Sequence, residues 1–148
     1  MDFTGKTIIV TGAGGGIGEG YAKACSERGM NVVIAELSEE GGQRVADEIN
    51  AGGGSALFVK TDVGCEDSTK ACAKAVMDKF GAINYLINNA AIFGDMKIEG
   101  YMNVDMDYLE KFMRINAHGC VIMTRAVVDH MTACGGGAII NQSSTAAW

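Results

Sequence analysis

The amino-acid sequence predicts an α/β protein built on a doubly wound parallel sheet, and three observations carry that expectation. Short β-branched apolar runs alternate with longer stretches whose apolar residues recur at helical spacing. The turns between them lean on 21 glycines, while proline is absent, so no proline-rich linker divides the chain. A dense glycine cluster follows the first apolar run directly, where a strand would hand over to a helix. Buried strands joined through helices require right-handed crossovers, and 148 residues suit one domain spanning 1–148.

The first strand is expected at Thr7 to Val10, bounded by Gly5 and Gly12. Ile17, Tyr21, Ala24 and Arg28 then recur at helical spacing, and Gly29 stands where a helix stops. Asn31 to Ala35 repeats the buried-strand pattern. Ser38 is placed to cap a helix running through Val45, Ala46 and Ile49, although Gly41 and Gly42 weaken its first turn by up to about 1 kcal/mol each. Ala56 to Val59 forms a third strand, and Cys72, Val76 and Phe80 mark a helix closed by Gly81. Ile83 to Ile87 reads as strand four, Asp105 to Cys134 as one long helix, and Ala138 to Asn141 as strand five. Met106, Leu109 and Met113 on the long helix are expected in core and subunit interface.

Composition excludes several classes. A net charge of −6 leaves no basic field for phosphate backbones, so nucleic acid is not an expected partner. No apolar run approaches the ~20 residues of a membrane span, so no membrane partner is expected. His118 and His130 lack metal-pair spacing, and no metal site is expected. Five cysteines without C-x-x-C spacing read as packing thiols in a reduced, cytoplasmic setting.

The glycine cluster is TGAGGGIGEG, Thr11 to Gly20. Glycines let the backbone approach a ligand closely, and a helix N-terminus offers amides and the positive end of its dipole to a pyrophosphate. The G-x-G-x-x-G fingerprint fails from Gly12, because Ile17 occupies its last glycine slot; T-G-x-x-x-G-x-G fits through Thr11, Gly12, Gly16 and Gly18. A triphosphate loop is excluded, since no Lys-Ser or Lys-Thr follows, whereas a methyltransferase loop for S-adenosylmethionine stays open. Glu36, at the end of strand two, is placed to accept hydrogen bonds from ribose hydroxyls.

With these motifs in register, and with Asp62-Val63 after strand three, Asn88-Asn89-Ala90 after strand four, Asn116 in the long helix and NQSS at strand five, the sequence resembles the short-chain dehydrogenase/reductase family. The resemblance implies a Rossmann-like sheet with NAD as cofactor. Cofactor-binding positions would be Thr11, Gly12, Gly14, Gly15, Gly16, Ile17, Gly18, Glu36, Leu37, Asp62, Val63, Asn89, Ala90 and Ala91. Asp62 and Val63 would flank the adenine. Ala91 departs from the family, which usually has Gly there. Asn116 would perturb its helix and hold a water in a proton relay, and Ser144, with Ser143 as its neighbour, would hydrogen-bond the oxygen of an alcohol or ketone substrate. A homo-oligomer is the expected assembly.

The family's acid/base is the Tyr of a Tyr-x-x-x-Lys motif, and none of the 148 residues supplies that pair. In the family it lies roughly a dozen residues past the Ser144 position, one short connection away. The resemblance therefore implies a sheet cut after its fifth strand and an isolated chain without dehydrogenase activity. A catalytically dead dinucleotide-binding or assembly module is the alternative.

Overall fold

The computed structural model of the protein describes residues 2–93, 96–97, 99–100 and 102–144. Five strands, β1 (Thr7–Thr11), β2 (Asn31–Glu36), β3 (Ser55–Lys60), β4 (Tyr85–Asn88) and β5 (Ala138–Asn141), form one parallel sheet in the order β3-β2-β1-β4-β5. Helices α1 (Gly16–Ser26), α2 (Glu39–Ala51), α3 (Glu66–Phe80), α4 (Met106–Met113) and α5 (Gly119–Ala133) make the connections.

Alternation along the central strands builds two cores. Ile8 and Val10 of β1 and Val32 and Ile34 of β2 pack against Ala22 of α1 and Val45, Ala46 and Ile49 of α2. Ile9, Val33 and Ala35 point the other way, onto Cys72, Ala73 and Val76 of α3 and Met123, Val127 and Met131 of α5. A strand covered on both faces is buried along its length, and in β1 the apolar Ile8, Ile9 and Val10 are flanked by Thr7 and Thr11, all five buried. Each fully buried Val or Ile contributes about 1.5–3 kcal/mol, offset by the entropy of ordering the chain.

Ser38 caps α2, its Oγ accepting from the Gly41 N–H at 3.2 Å, and Gly81 ends α3 with φ 72°. Helix α1 stops at Ser26, so Arg28 lies in the turn beyond it, and Ile17 in its first turn is 63% exposed and contributes nothing to the core. Strand four starts two residues later than its apolar run implies. The Asn84 side chain takes the Thr7 N–H at 2.9 Å in place of a ladder carbonyl, and regular pairing begins at Tyr85.

The long helix is not uniformly α. A π-helical turn, Arg114–His118, joins α4 to α5. No residue of α4 is buried, and Met106 and Met113 are exposed, which corrects their expected place in the core. Cys65 is also exposed, immediately before α3, and is not a packing thiol; Cys72 is buried, and Cys25, Cys120 and Cys134 are partly so. Among the described residues no helix is long and apolar enough to cross a membrane.

Candidate functional site

In an open parallel sheet the crevice lies at the carboxyl ends of the strands where the winding reverses. Here that point falls between β1, whose chain proceeds outward to β2, and β4. Thr11 and the glycine turn end β1 there, and Asn88 to Ala91 end β4 opposite them.

Thr11 is buried and ties the two segments: its hydroxyl accepts from the backbone N–H groups of Asn89 and Ala90 at 2.9 and 3.0 Å. The Asn89 side-chain amide donates to the Thr11 and Gly12 carbonyls at 3.0 and 3.2 Å. Gly12 adopts φ +66°, and a Cβ there would stand 2.8 Å from Ala90 Cα, so both conformation and space require glycine. At Gly18 a Cβ would run into the Gly12 carbonyl and sit 2.6 Å from Asn89 Nδ2, so its absence lets α1 dock on the loop. Gly15 and Gly16 face open space. Gly15 precedes α1 without a capping side chain, which leaves the first amides of the helix directed at that opening.

Glu36 ends β2 beside this turn. Its carboxylate accepts from the N–H groups of Gly14 at 3.0 Å, Leu37 at 2.8 Å and Ser38 at 3.0 Å. A carboxylate offers about four lone-pair sites, so three amides fix its orientation and leave acceptor capacity for one more donor. Leu37 beside it is 59% exposed. This set fits a dinucleotide: a caged acceptor for a hydroxyl, an exposed apolar side chain next to it, and a glycine turn opening onto free amides.

Asp62 and Val63 sit past β3, farther out along the sheet. The Asp62 carboxylate accepts from the Gly64 N–H at 2.8 Å, and Val63 is buried against the start of α5, where a Cβ on Gly119 would meet its Cγ2 at 2.8 Å.

Asn88 is buried, and its amide reaches Asn141 of β5 at 2.9 Å, tying strand to strand. Ala91 is exposed, and its φ is not positive, so the methyl group that replaces the usual glycine is accommodated without strain. Asn116 lies in the π-helical turn. Its Oδ1 accepts from the Ile92 N–H at 2.8 Å and its Nδ2 donates to the Ile92 carbonyl at 3.2 Å, which pins the segment leaving β4 to the long helix. Ser143 and Ser144 are exposed past β5, at the same end of the sheet. The approach to them is held from α1: the Tyr21 hydroxyl donates to Gln142 Oε1 at 2.6 Å.

One residue near the site escaped the sequence reading. Arg44 of α2 donates to the Gly14 carbonyl at 3.1 Å and forks onto the Glu19 carboxylate at 2.7 and 3.3 Å, with Glu48 at 2.8 Å. Lys23 closes the network onto Glu19 and Glu48. Arg44 and then Lys23 hold the Glu19 carboxyl down from 4.5 to about 2. Only the adjacent Gly41-Gly42 pair, costly in a helix and therefore in need of a reason, hinted that α2 approaches the loop closely.

Comparison with known proteins agrees with this fold. Residues 6–148 match the family model for short chain dehydrogenase. An uncharacterized oxidoreductase of Mycobacterium tuberculosis is 50% identical over 146 residues, which span 99% of this chain and 59% of that protein. A trans-4-hydroxycyclohexanecarboxylate dehydrogenase of Sinomonas cyclohexanicum is 37% identical over 147 residues, spanning 95% of this chain and 55% of the relative. The crystal structure of a short-chain type dehydrogenase/reductase from Mycobacterium marinum superposes with a TM-score of 0.90 at 30% identity, covering 97% of this chain and 57% of that one. The chain thus spans less than three fifths of the length of these relatives. With the sheet order, the glycine turn and a family match over nearly its whole length, the chain belongs to the short-chain dehydrogenase/reductase family.

Proposed function

We propose that residues 1–148 are the dinucleotide-binding domain of an NAD(H)-dependent oxidoreductase acting on an alcohol or ketone. The observation that carries this reading is the Glu36 carboxylate, held by three amides beside the open glycine turn with capacity for a further donor. In a bound NAD(H) the nicotinamide ring supplies the carbon that takes or gives the hydride.

Residues of this chain supply the binding groups and part of the reaction site; the Tyr-x-x-x-Lys acid/base is not among them. The first amides of α1, around Gly16, Ile17 and Gly18, take the pyrophosphate; Gly15 and Gly16 leave room for it. Glu36 accepts from the adenosine ribose, Leu37 and Val63 bound the adenine side, and Asp62 offers its remaining carboxylate oxygen. Thr11, Asn89, Ala90 and Ala91 frame the nicotinamide side. The Ser144 hydroxyl donates to the substrate oxygen and stabilises charge that develops there. Asn116 fixes the segment after β4 and, as the family resemblance implies, holds a water for proton transfer.

The remainder of the reading concerns setting and assembly. Free cysteines fit a reduced cytoplasm. A homo-oligomer is supported by Met106, Met113, Val121 and Val128, all exposed and spaced seven, eight and seven residues apart; the eight spans the π-helical turn, whose extra residue keeps the stripe on one face.

The test is NADH binding by residues 1–148, together with cofactor reduction on a panel of secondary alcohols, cyclohexanols included, by a form extended to carry a Tyr-x-x-x-Lys segment after Ser144. Binding by residues 1–148 without turnover, and alcohol-dependent NADH formation by the extended form that Ser144→Ala lowers about 10²-fold, support the reading. A protein that binds neither NADH nor NADPH contradicts it.

A further inference from the structure

The glycine turn is fastened by a charged side chain of α2, that of Arg44. The Arg44 guanidinium reaches three elements at once: the Gly14 carbonyl in the turn, Glu19 in the first turn of α1, and Glu48 one turn along α2. Its bond to Glu19 is a two-pronged fork, the charge-assisted geometry that fixes direction as well as distance. Lone surface ion pairs contribute little, but this one belongs to a four-charge network with Lys23.

Backbone packing brings Arg44 within reach. A Cβ on Gly41 would stand 2.9 Å from the Gly14 carbonyl oxygen, and a Cβ on Gly42 would run into the Phe58 ring and sit 3.2 Å from Glu36 Cβ. The glycine pair, unfavourable in a helix, lets the start of α2 lie directly against both the turn and β2. Both backbone polar groups of Gly14 are then held, its N–H by Glu36 and its carbonyl by Arg44.

We infer that Arg44 is a positioning residue for cofactor binding, which holds Gly14 and the start of α1 in the shape that receives the pyrophosphate. The inference rests on the proposed dinucleotide reading of the turn. Its physical content is a population: where the receptive shape is occupied only part of the time, the apparent dissociation constant rises by the inverse of that fraction.

The experiment is an NADH titration of the full chain by fluorescence, with hydrogen exchange of residues 14–18 measured on the cofactor-free protein. Arg44→Ala is expected to weaken NADH binding about three- to tenfold and to speed exchange at the turn. Glu19→Gln keeps the Gly14 bond but discharges the fork, and should give a smaller loss. The double variant should bind no worse than Arg44→Ala alone, because both changes break one network. Arg44→Lys, which keeps charge without the fork, should restore affinity only in part. A purely structural role would lower stability without this ordering and without faster exchange confined to residues 14–18. Wild-type affinity and exchange in Arg44→Ala would overturn the inference while leaving the proposed function standing. A wild-type chain that fails to bind NADH overturns the dinucleotide reading and this inference with it, whatever the exchange data show.

Discussion

The two sides of the sheet are built on different terms. On the β3-β2-β1 side, the inner strands are buried on both faces, and the binding groups are backbone amides and a caged carboxylate held by neighbours. On the β4-β5 side, β5 has Ile140 at 53% exposure and leads to exposed serines whose approach is braced by Asn88 and Tyr21. The contrast teaches a division of labour. On the proposed reading, the dinucleotide is met by groups that the core and backbone amides fix, while the substrate oxygen is met by a serine in the segment that follows β5.

If that division holds, breaking each side has a distinct signature. In a form extended to carry the Tyr-x-x-x-Lys segment, Ser144→Ala should lower turnover by about 10²-fold or more while NADH affinity stays within about twofold, as removal of an oxyanion-type donor does. Steady-state kinetics beside a binding titration read both; a matching loss of affinity would erase the distinction between the sides. Gly18→Ala attacks the other side. The added methyl meets the Gly12 carbonyl and Asn89, and this overpacking should cost about 1–3 kcal/mol in urea denaturation and abolish cofactor binding together with it. Unchanged stability would show that α1 docks less closely than described.

Smaller effects sharpen the comparison. Asn116→Ala loses two hydrogen bonds to Ile92, each a net contribution of about 0.5–1.5 kcal/mol, and in the extended form should reduce turnover with little change in NADH affinity. The Glu19 carboxyl lies at about 2 in the folded chain against an ordinary 4.5. A depressed folded value gives stability that is present above 4.5 and is lost as the pH falls toward 2. Glu19→Gln should therefore be slightly less stable than wild type at neutral pH, and the gap should close across that acid window. A gap independent of pH would remove the charge network from the account.

Most of the frame was legible in the sequence because buried parallel strands carry apolar runs such as Ile8 to Val10 and helices stop at residues such as Gly81. What escaped depended on long-range geometry. Strand four began late because Asn84 substitutes its side chain for a ladder carbonyl, which no local pattern announces. The π-helical turn was foreshadowed by Asn116 and Gly119, both poor helix formers, and by the eight-residue step in the exposed stripe, but one extra residue in a long helix leaves the overall periodicity nearly intact. Arg44 was invisible for another reason: a charged residue on a helix reads as solvated until its neighbour in space is a glycine carbonyl 30 positions away.

On the proposed reading, Glu36 makes the crevice a site for NAD(H). A 2′-phosphate brings about two negative charges toward a carboxylate that three amides hold in place, and repulsion of even ~1–2 kcal/mol gives roughly five- to thirtyfold discrimination. Parallel titrations of the full chain with NADH and NADPH at one ionic strength test this directly. The account predicts NADH binding tighter by that factor, with the preference lost in Glu36→Gln; equal affinities, or tighter binding of NADPH by the wild-type protein, would contradict it.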